Sequence, residues 1–420
     1  MSNLITETVT STGIAQAAAR LQGIARRTPL ELNATLSKQF ECSVWLKRED
    51  LQVVRSYKLR GAYNKMATLS DTERQNGIVC ASAGNHAQGV AFACRHLGIR
   101  GRIFMPATTP GQKLSKVAAF GGDAVAVVLT GDTFDDAYAT AQAFCLEQKT
   151  VFIHPFDDEK IIEGQGTVGL EIWEDMKQMP DFLFVPIGGG GLAAGVSSFF
   201  AEKSPATAIV GVEPAGAPAM KTAMQNGFNS TLDEIDRFVD GAAVRRVGDI
   251  TFDICRRLLY DLVLIPEGKV CSTILKLYNE EAIVVEPAGA LSIAALEFYR
   301  PHIKGKNVVC VVSGGNNDIS RTEEIRERAL LYEGLKHYFI VRFPQRAGAL
   351  REFVADVLGP DDDIVQFEYI KKNNRESGPA LVGIEFKQPG QLERLKSSLR
   401  RRHFNFEYLN GNSDLLRFLV

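Results

Sequence analysis

At 420 residues, 45% hydrophobic and 23% charged, the chain has the composition of a soluble globular protein with roughly two to four folding units. A formal net charge of −2 leaves no electrostatic footprint for nucleic acid or an anionic membrane, so small molecules and further copies of the chain are the expected partners. The seven cysteines form no C-x-x-C pair, no apolar run approaches the roughly 20 residues of a membrane span, and the first ten residues lack a signal-peptide pattern; a cytoplasmic protein is expected.

From residue 28 to about 320, short apolar runs alternate with helical periodicity. Residues 78–83 read as a buried strand and 85–97 as a helix with an alanine-rich packing face. Then come strand 102–105, helix 111–120 and strand 124–129. Strand 182–186 leads through helix 192–200 to strand 208–212, and the block closes with helix 286–298 and strand 308–312. Val/Ile-rich strands separated by helices predict parallel sheets covered on both faces. The block is too long for one core, so two open α/β lobes with a cleft between them are expected. A charged helical stretch, 321–333, ends the pattern. Beyond it lie strand 338–343, helix 347–358, strand 364–370, a polar turn at 371–378, strand 380–386, helix 391–399 and strand 404–409. That is the β-α-β-β-α-β order of a split βαβ unit. The boundary is placed near Glu333, giving one domain of residues 1–333 and another of 334–420.

Four segments of the first domain carry chemistry. Ser56-Tyr57-Lys58-Leu59-Arg60-Gly61 stands at a helix start. A lysine that loses its proton in a cleft can condense with an aldehyde cofactor, although most lysines are simply solvated. Ser82-Ala83-Gly84-Asn85-His86-Ala87-Gln88-Gly89 ends a strand and opens a helix. Free N–H groups there suit a carboxylate or phosphate, or else Asn85 is an ordinary cap. His86 is given no proton-transfer role. Gly188-Gly189-Gly190-Gly191-Leu192 follows a strand and precedes a helix, and its glycines let backbone amides approach a phosphate. It is neither a P-loop nor a dinucleotide fingerprint. Ser313-Gly314-Gly315-Asn316 lies at the carboxyl end of a strand, where α/β sheets bind ligands, unless it is a plain turn.

Taken jointly and in this order, these segments resemble the fold-type II pyridoxal-phosphate enzymes, which are tryptophan synthase β-like, and most nearly the biosynthetic threonine dehydratases (threonine ammonia-lyases). The resemblance runs from Arg27 to Ser320. It implies pyridoxal 5'-phosphate as cofactor, carried on Lys58. It also implies that Ser82, Ala83, Gly84, Asn85 and His86 hold the substrate carboxylate, with Asn85 also on the cofactor ring hydroxyl. Gly188, Gly189, Gly190, Gly191 and Leu192 would bind the phosphate, and Ser313 the pyridine nitrogen. Lys58 would take the substrate α-proton. A neutral Ser313 hydroxyl cannot hold a protonated ring nitrogen as an aspartate would, which favours loss of the β-substituent over transamination.

Related serine racemases carry a divalent-metal site after a Gly-Val-Glu-Pro stretch. Here Gly211-Val212-Glu213-Pro214 is followed by Ala219 where a second acid is expected, so no metal is expected. In the second domain, Phe343-Pro344-Gln345-Arg346-Ala347-Gly348-Ala349-Leu350 resembles the ligand loop of ACT-like regulatory domains. Arg346, Gly348 and Leu350 are its candidate effector contacts, with backbone donors near Gly348 for an amino-acid carboxylate. A bare oligomerisation module is the alternative. Only one such unit fits the residues available.

The resemblance as a whole implies deamination of L-threonine, and secondarily L-serine, to a 2-oxo acid and ammonia. For threonine the product is 2-oxobutanoate, at the first step of isoleucine biosynthesis. It further implies isoleucine as inhibitor, valine as a candidate activator, and a homo-oligomer, tetramer or dimer. The rivals are a catabolic serine/threonine dehydratase, a serine-racemase-like enzyme, and a non-catalytic amino-acid sensor that reuses the fold.

Overall fold

The computed structural model describes residues 9–369 and 376–411. The chain divides into two compact units: residues up to 267 with 282–317, and residues 268–281 with everything from 318 onward.

The first unit contains two sheets. The larger has six strands in the order Leu30–Leu32, Ser43–Arg48, Asn307–Val312, Phe182–Pro186, Ala208–Pro214, Asp261–Ile265. All its neighbours run parallel except the short Leu30–Leu32 edge, which is antiparallel to Ser43–Arg48. Strand Asn307–Val312 is buried from Val308 onward, as expected of a β-branched run covered on both faces. The smaller sheet has four parallel strands, in the order Val125–Leu129, Gly101–Met105, Ile78–Ala81, Val151–Phe152. The two α/β lobes anticipated from the alternating pattern are thus present.

Helix Asn85–Leu97 has the bounds its periodicity suggested, and it is buried from His86 to Cys94. The single helix expected over 286–298 is instead two, Pro287–Ala294 and Leu296–Ile303. Pro287 at the first helical position fits the start. At Ala295 the Phe298 N–H turns back to the Ala295 carbonyl (3.1 Å), a tighter i−3 bond that steps the chain.

A cluster of buried charge underlies helix Lys58–Ala67. Arg60 donates from Nε to Glu49 Oε2 and from Nη2 to Glu49 Oε1, both at 2.8 Å. It also donates to both oxygens of Glu171 in helix Glu159–Asp175, at 2.6 and 2.9 Å. Lys47 completes the cluster, donating to Glu171 Oε2 (2.6 Å) and the Thr28 carbonyl (2.7 Å). Burial pushes the Glu171 carboxyl up, but Arg60 and Lys47 outweigh it and hold it below the usual carboxylate range. Such a cluster is tolerable only because each charge meets a forked or direct partner.

The second unit carries an antiparallel sheet in the order Asp363–Tyr369, Ser377–Glu385, Lys336–Pro344, Asn405–Tyr408. Its apolar face, with Phe339, Phe343, Val382 and Ile384, packs on Phe353, Leu395 and Phe404. The βαββαβ order is the expected one. The helix anticipated over 347–358 is shorter and irregular: Ala349–Glu352 runs into a wider π turn, Phe353–Val357. It starts late because Gly348, at φ +86°, caps it in the left-handed region. Ile370 and residues 371–375, at the strand end and in the polar turn read from sequence, lie outside the described residues.

Candidate active site

Lys58 opens helix Lys58–Ala67, and the segment just before it is stitched to the Ser313 loop. Tyr57 N–H donates to the Ser313 carbonyl (3.2 Å), and Ser56 forms an antiparallel bridge with Gly314. This places the lysine beside the carboxyl end of the sheet's Asn307–Val312 strand. Lys58 Nζ donates to the Pro155 carbonyl at 2.8 Å and lies 5.4 Å from the Tyr57 ring centre and 5.9 Å from that of Phe156. Burial pushes its pKa from the ordinary 10.5 down to about 8, with the negative Glu286 partly opposing the fall. A useful share of the amine is therefore unprotonated near neutral pH.

Helix Asn85–Leu97 is capped by Gly84, with no side-chain cap, so Asn85 is the first helical residue and its amide is free to reach sideways. Its Nδ2 donates to Glu286 Oε1 and its Oδ1 accepts from Asn316 Nδ2, both at 2.7 Å. Asn316 Nδ2 also donates to the Val54 carbonyl (2.9 Å), and its Oδ1 accepts from Lys116 Nζ (3.2 Å). Ser82 Oγ accepts the Gly84 N–H (3.2 Å), folding residues 82–84, including Ala83, into a compact turn. His86 is buried, with Nε2 2.9 Å from the Ile153 carbonyl, which requires the proton on that nitrogen. Burial and Lys58 push its pKa down to about 3, so the ring is neutral.

Glu286 was not singled out from sequence. It is buried, and burial raises its pKa to about 7 against the hydrogen bond from Asn85. The one local signal was an acid placed directly before Pro287 at the head of an apolar helix.

The glycine run joins strand Phe182–Pro186 to helix Gly191–Lys203. Gly190 caps that helix at φ +96°, a conformation other residues adopt at a cost. A Cβ on Gly189 would lie 2.2 Å from the Phe156 ring, so only glycine allows this approach. Leu192 sends its side chain into the core, leaving its backbone as the part able to meet a ligand. Open amides at a helix start form a ready anion site. The residues present suit pyridoxal phosphate: a glycine-lined amide cradle for its phosphate, an amine of lowered basicity for its aldehyde, and Asn85 and Ser313 for its ring. The sequence segments that the resemblance linked are thus brought together, with Phe156 lying between the lysine and the glycines.

In the second unit, Arg346, Gly348 and Leu350 line one cavity of about 270 Å³. Phe343, Phe367 and Tyr369 supply its aromatic wall. Arg346 is mostly exposed and pairs with Glu352 at 2.6 Å.

A family model described as pyridoxal-phosphate dependent enzyme matches residues 21–314. The L-threonine dehydratase biosynthetic IlvA of Halalkalibacterium halodurans is 56% identical over 95% of this chain and 96% of its own. The chain belongs to the biosynthetic L-threonine dehydratases of the pyridoxal-phosphate dependent family. A second model, the C-terminal regulatory domain of threonine dehydratase, matches residues 327–419. Among solved structures, the processed form of threonine deaminase isoform 2 from Solanum lycopersicum superposes with a TM-score of 0.72 at 42% identity, covering 76% of this chain and 88% of that one. Maize serine racemase gives 0.71 at 28% identity, covering 77% and 99%.

Glu213, in the Gly211-Val212-Glu213-Pro214 stretch, is a buried carboxyl at the end of strand Ala208–Pro214. Its Oε1 accepts the Met220 N–H (2.7 Å) and its Oε2 the Lys221 N–H (2.9 Å), so it caps helix Ala219–Asn226. Burial pushes its carboxyl up to about 8. Among the described residues no group of three His, Cys, Asp or Glu side chains is placed to hold a metal ion, and no helix is long and apolar enough to cross a membrane.

Proposed function

We infer that this chain deaminates L-threonine to 2-oxobutanoate and ammonia, with pyridoxal 5'-phosphate held on Lys58, as the entry step to isoleucine synthesis. L-serine is a secondary substrate. One observation carries the reading: a half-buried lysine of lowered basicity is joined through residues 155 and 156 to a glycine-lined helix start. It occurs in a chain 56% identical to a biosynthetic L-threonine dehydratase.

When bound, the cofactor supplies an electron sink beside the substrate α-carbon. The N–H groups of Gly188, Gly189, Gly190, Gly191 and Leu192 hold its phosphate, Asn85 its ring hydroxyl and Ser313 its ring nitrogen. Ser82, Ala83, Gly84, Asn85 and His86 form the turn that takes the substrate carboxylate. Glu286 and Asn316, bonded to the two ends of the Asn85 amide, fix which way that amide points. Lys58, with its pKa near 8, accepts the α-proton and can return it. Loss of the β-hydroxyl as water, later addition of a water and release of ammonia balance threonine against 2-oxobutanoate.

Residues 1–333 form the catalytic domain in this reading and 334–420 the regulatory one. Isoleucine binds where Arg346, Gly348 and Leu350 meet, its branched side chain against Phe343 and Phe367. Valine competes there as activator. The enzyme works in the cytoplasm as a homo-oligomer, a tetramer or a dimer. A racemase is disfavoured because Ala219 stands where a second acid would be needed, and Glu213 is turned onto the Met220 and Lys221 amides as a helix cap. The test is 2-oxo acid release from threonine and serine, with and without isoleucine, alongside a chiral assay for D-serine. Absence of 2-oxobutanoate from threonine would overturn the reading, and D-serine as the main product would favour the racemase.

A further inference from the structure

Residues 155–157 touch both halves of the site. The Pro155 carbonyl accepts from Lys58 Nζ at 2.8 Å, and the Phe156 ring covers Gly189. Asp157 plays no part in the reading above, yet its carboxylate is fully engaged. Oδ2 accepts the Asp249 N–H (2.9 Å), and Oδ1 accepts those of Ile250 (3.0 Å) and Thr251 (3.2 Å). These are the leading amides of helix Asp249–Leu258, which begins at Gly248 with no side-chain cap of its own. Asp157, 92 residues earlier than Asp249, is therefore the cap that satisfies this helix end.

The capped end grips the glycine loop. Thr251 Oγ1 donates to the Gly189 carbonyl at 2.6 Å, and the Gly248 N–H reaches the same oxygen at 3.2 Å. A trans peptide points its N–H opposite to its carbonyl. Holding the Gly189 carbonyl on Thr251 and Gly248 thus turns the Gly190 N–H away from helix Asp249–Leu258. Gly190 itself, at φ +96°, imposes no such choice, because glycine tolerates either orientation of the flanking peptide. The orientation comes from the brace.

We propose that Asp157 is a positioning residue for the phosphate-binding loop: by capping helix Asp249–Leu258 it holds Thr251, and through Thr251 it sets the Gly189–Gly190 peptide so that the Gly190 N–H faces the cofactor phosphate. The proposal rests on the cofactor reading above. It requires that disturbing Asp157 or Thr251 weakens grip on a phosphate specifically, not on the pyridine ring.

The experiment uses the full chain, stripped of cofactor and recharged with pyridoxal phosphate or with pyridoxal, which lacks the phosphate. Asp157→Ala and Thr251→Val should each weaken pyridoxal phosphate binding by about tenfold, the scale of a lost cap or buried hydrogen bond, and change pyridoxal binding less than about twofold. The 31P resonance of the bound phosphate should move in both variants. Asp157→Asn keeps an acceptor oxygen and should fall between parent and Asp157→Ala. Equal losses for the two ligands, or unchanged phosphate affinity and resonance, would overturn the proposal. If Asp157→Ala fails to fold, Thr251→Val and Asp157→Asn decide the same comparison. A parent chain that binds no pyridoxal phosphate would instead refute the cofactor reading itself.

Discussion

Cofactor capture by Lys58 should carry a pH dependence set by its surroundings. The amine reaches one carbonyl and lies against two aromatic rings, so its ammonium form is poorly hydrated, and its pKa drops from 10.5 to about 8. Only the unprotonated amine attacks an aldehyde. Because each step of one in pH is tenfold, a midpoint near 8 in place of 10.5 raises the reactive share near neutral pH by roughly 300-fold over a solvated lysine. The rate at which the cofactor-free chain captures pyridoxal phosphate should therefore climb with pH and level off above a midpoint near 8. Glu286 pulls the other way by favouring the charged lysine, so Glu286→Gln should lower the midpoint and speed capture at pH 7. Stopped-flow absorbance between about pH 6 and 10 measures both. A midpoint near the solvated-lysine value would refute the burial argument. A higher midpoint in Glu286→Gln would refute the sign assigned to that pair.

Four further outcomes are expected. Arg60→Met leaves the buried Glu49 carboxylate without its cationic partner and Glu171 with Lys47 alone, and should cost about 3–5 kcal/mol in urea unfolding followed by circular dichroism; a loss under about 1 kcal/mol would show the cluster matters little. Arg60→Lys keeps the charge but not the fork and should recover only part of that loss. Ser313→Ala should keep the fold while threonine turnover falls by about ten- to a hundredfold, and unchanged turnover would count against its contact with the ring nitrogen. Leu350→Asp places a charge in the wall of the proposed effector cavity and should raise the isoleucine concentration for half inhibition by about tenfold; inhibition at the parent concentration would move the effector site elsewhere.

What was legible in the sequence was local. A β-branched run, then small residues, then helical periodicity places a loop at the end of a strand, and this located the glycine run and the loop around Asn85. Strand Phe182–Pro186 and helix Asn85–Leu97 have the bounds that pattern suggested. What was not legible depends on partners far apart in the chain. Asn85 meets Glu286 across 201 residues and Lys58 meets Pro155 across 97, and no periodicity records such pairings. Strand order was equally hidden, and the Leu30–Leu32 edge is too short to announce itself. The π turn Phe353–Val357 keeps a helical apolar pattern, so sequence reads it as ordinary helix.

The larger sheet has a consequence for how the protein emerges from the ribosome. Strand Asn307–Val312 inserts between Ser43–Arg48 and Phe182–Pro186, so two strands made early wait for one made late. At about 5–20 residues per second, the wait after Arg48 is roughly 13 to 50 seconds of synthesis. The smaller sheet, contained between Ile78 and Phe152, can assemble well before then. Because Ser56 and Tyr57 are anchored to Gly314 and Ser313, the segment leading into Lys58 gains this anchor only when that late strand arrives. The backbone leading into the lysine thus stays untethered on that side through most of translation.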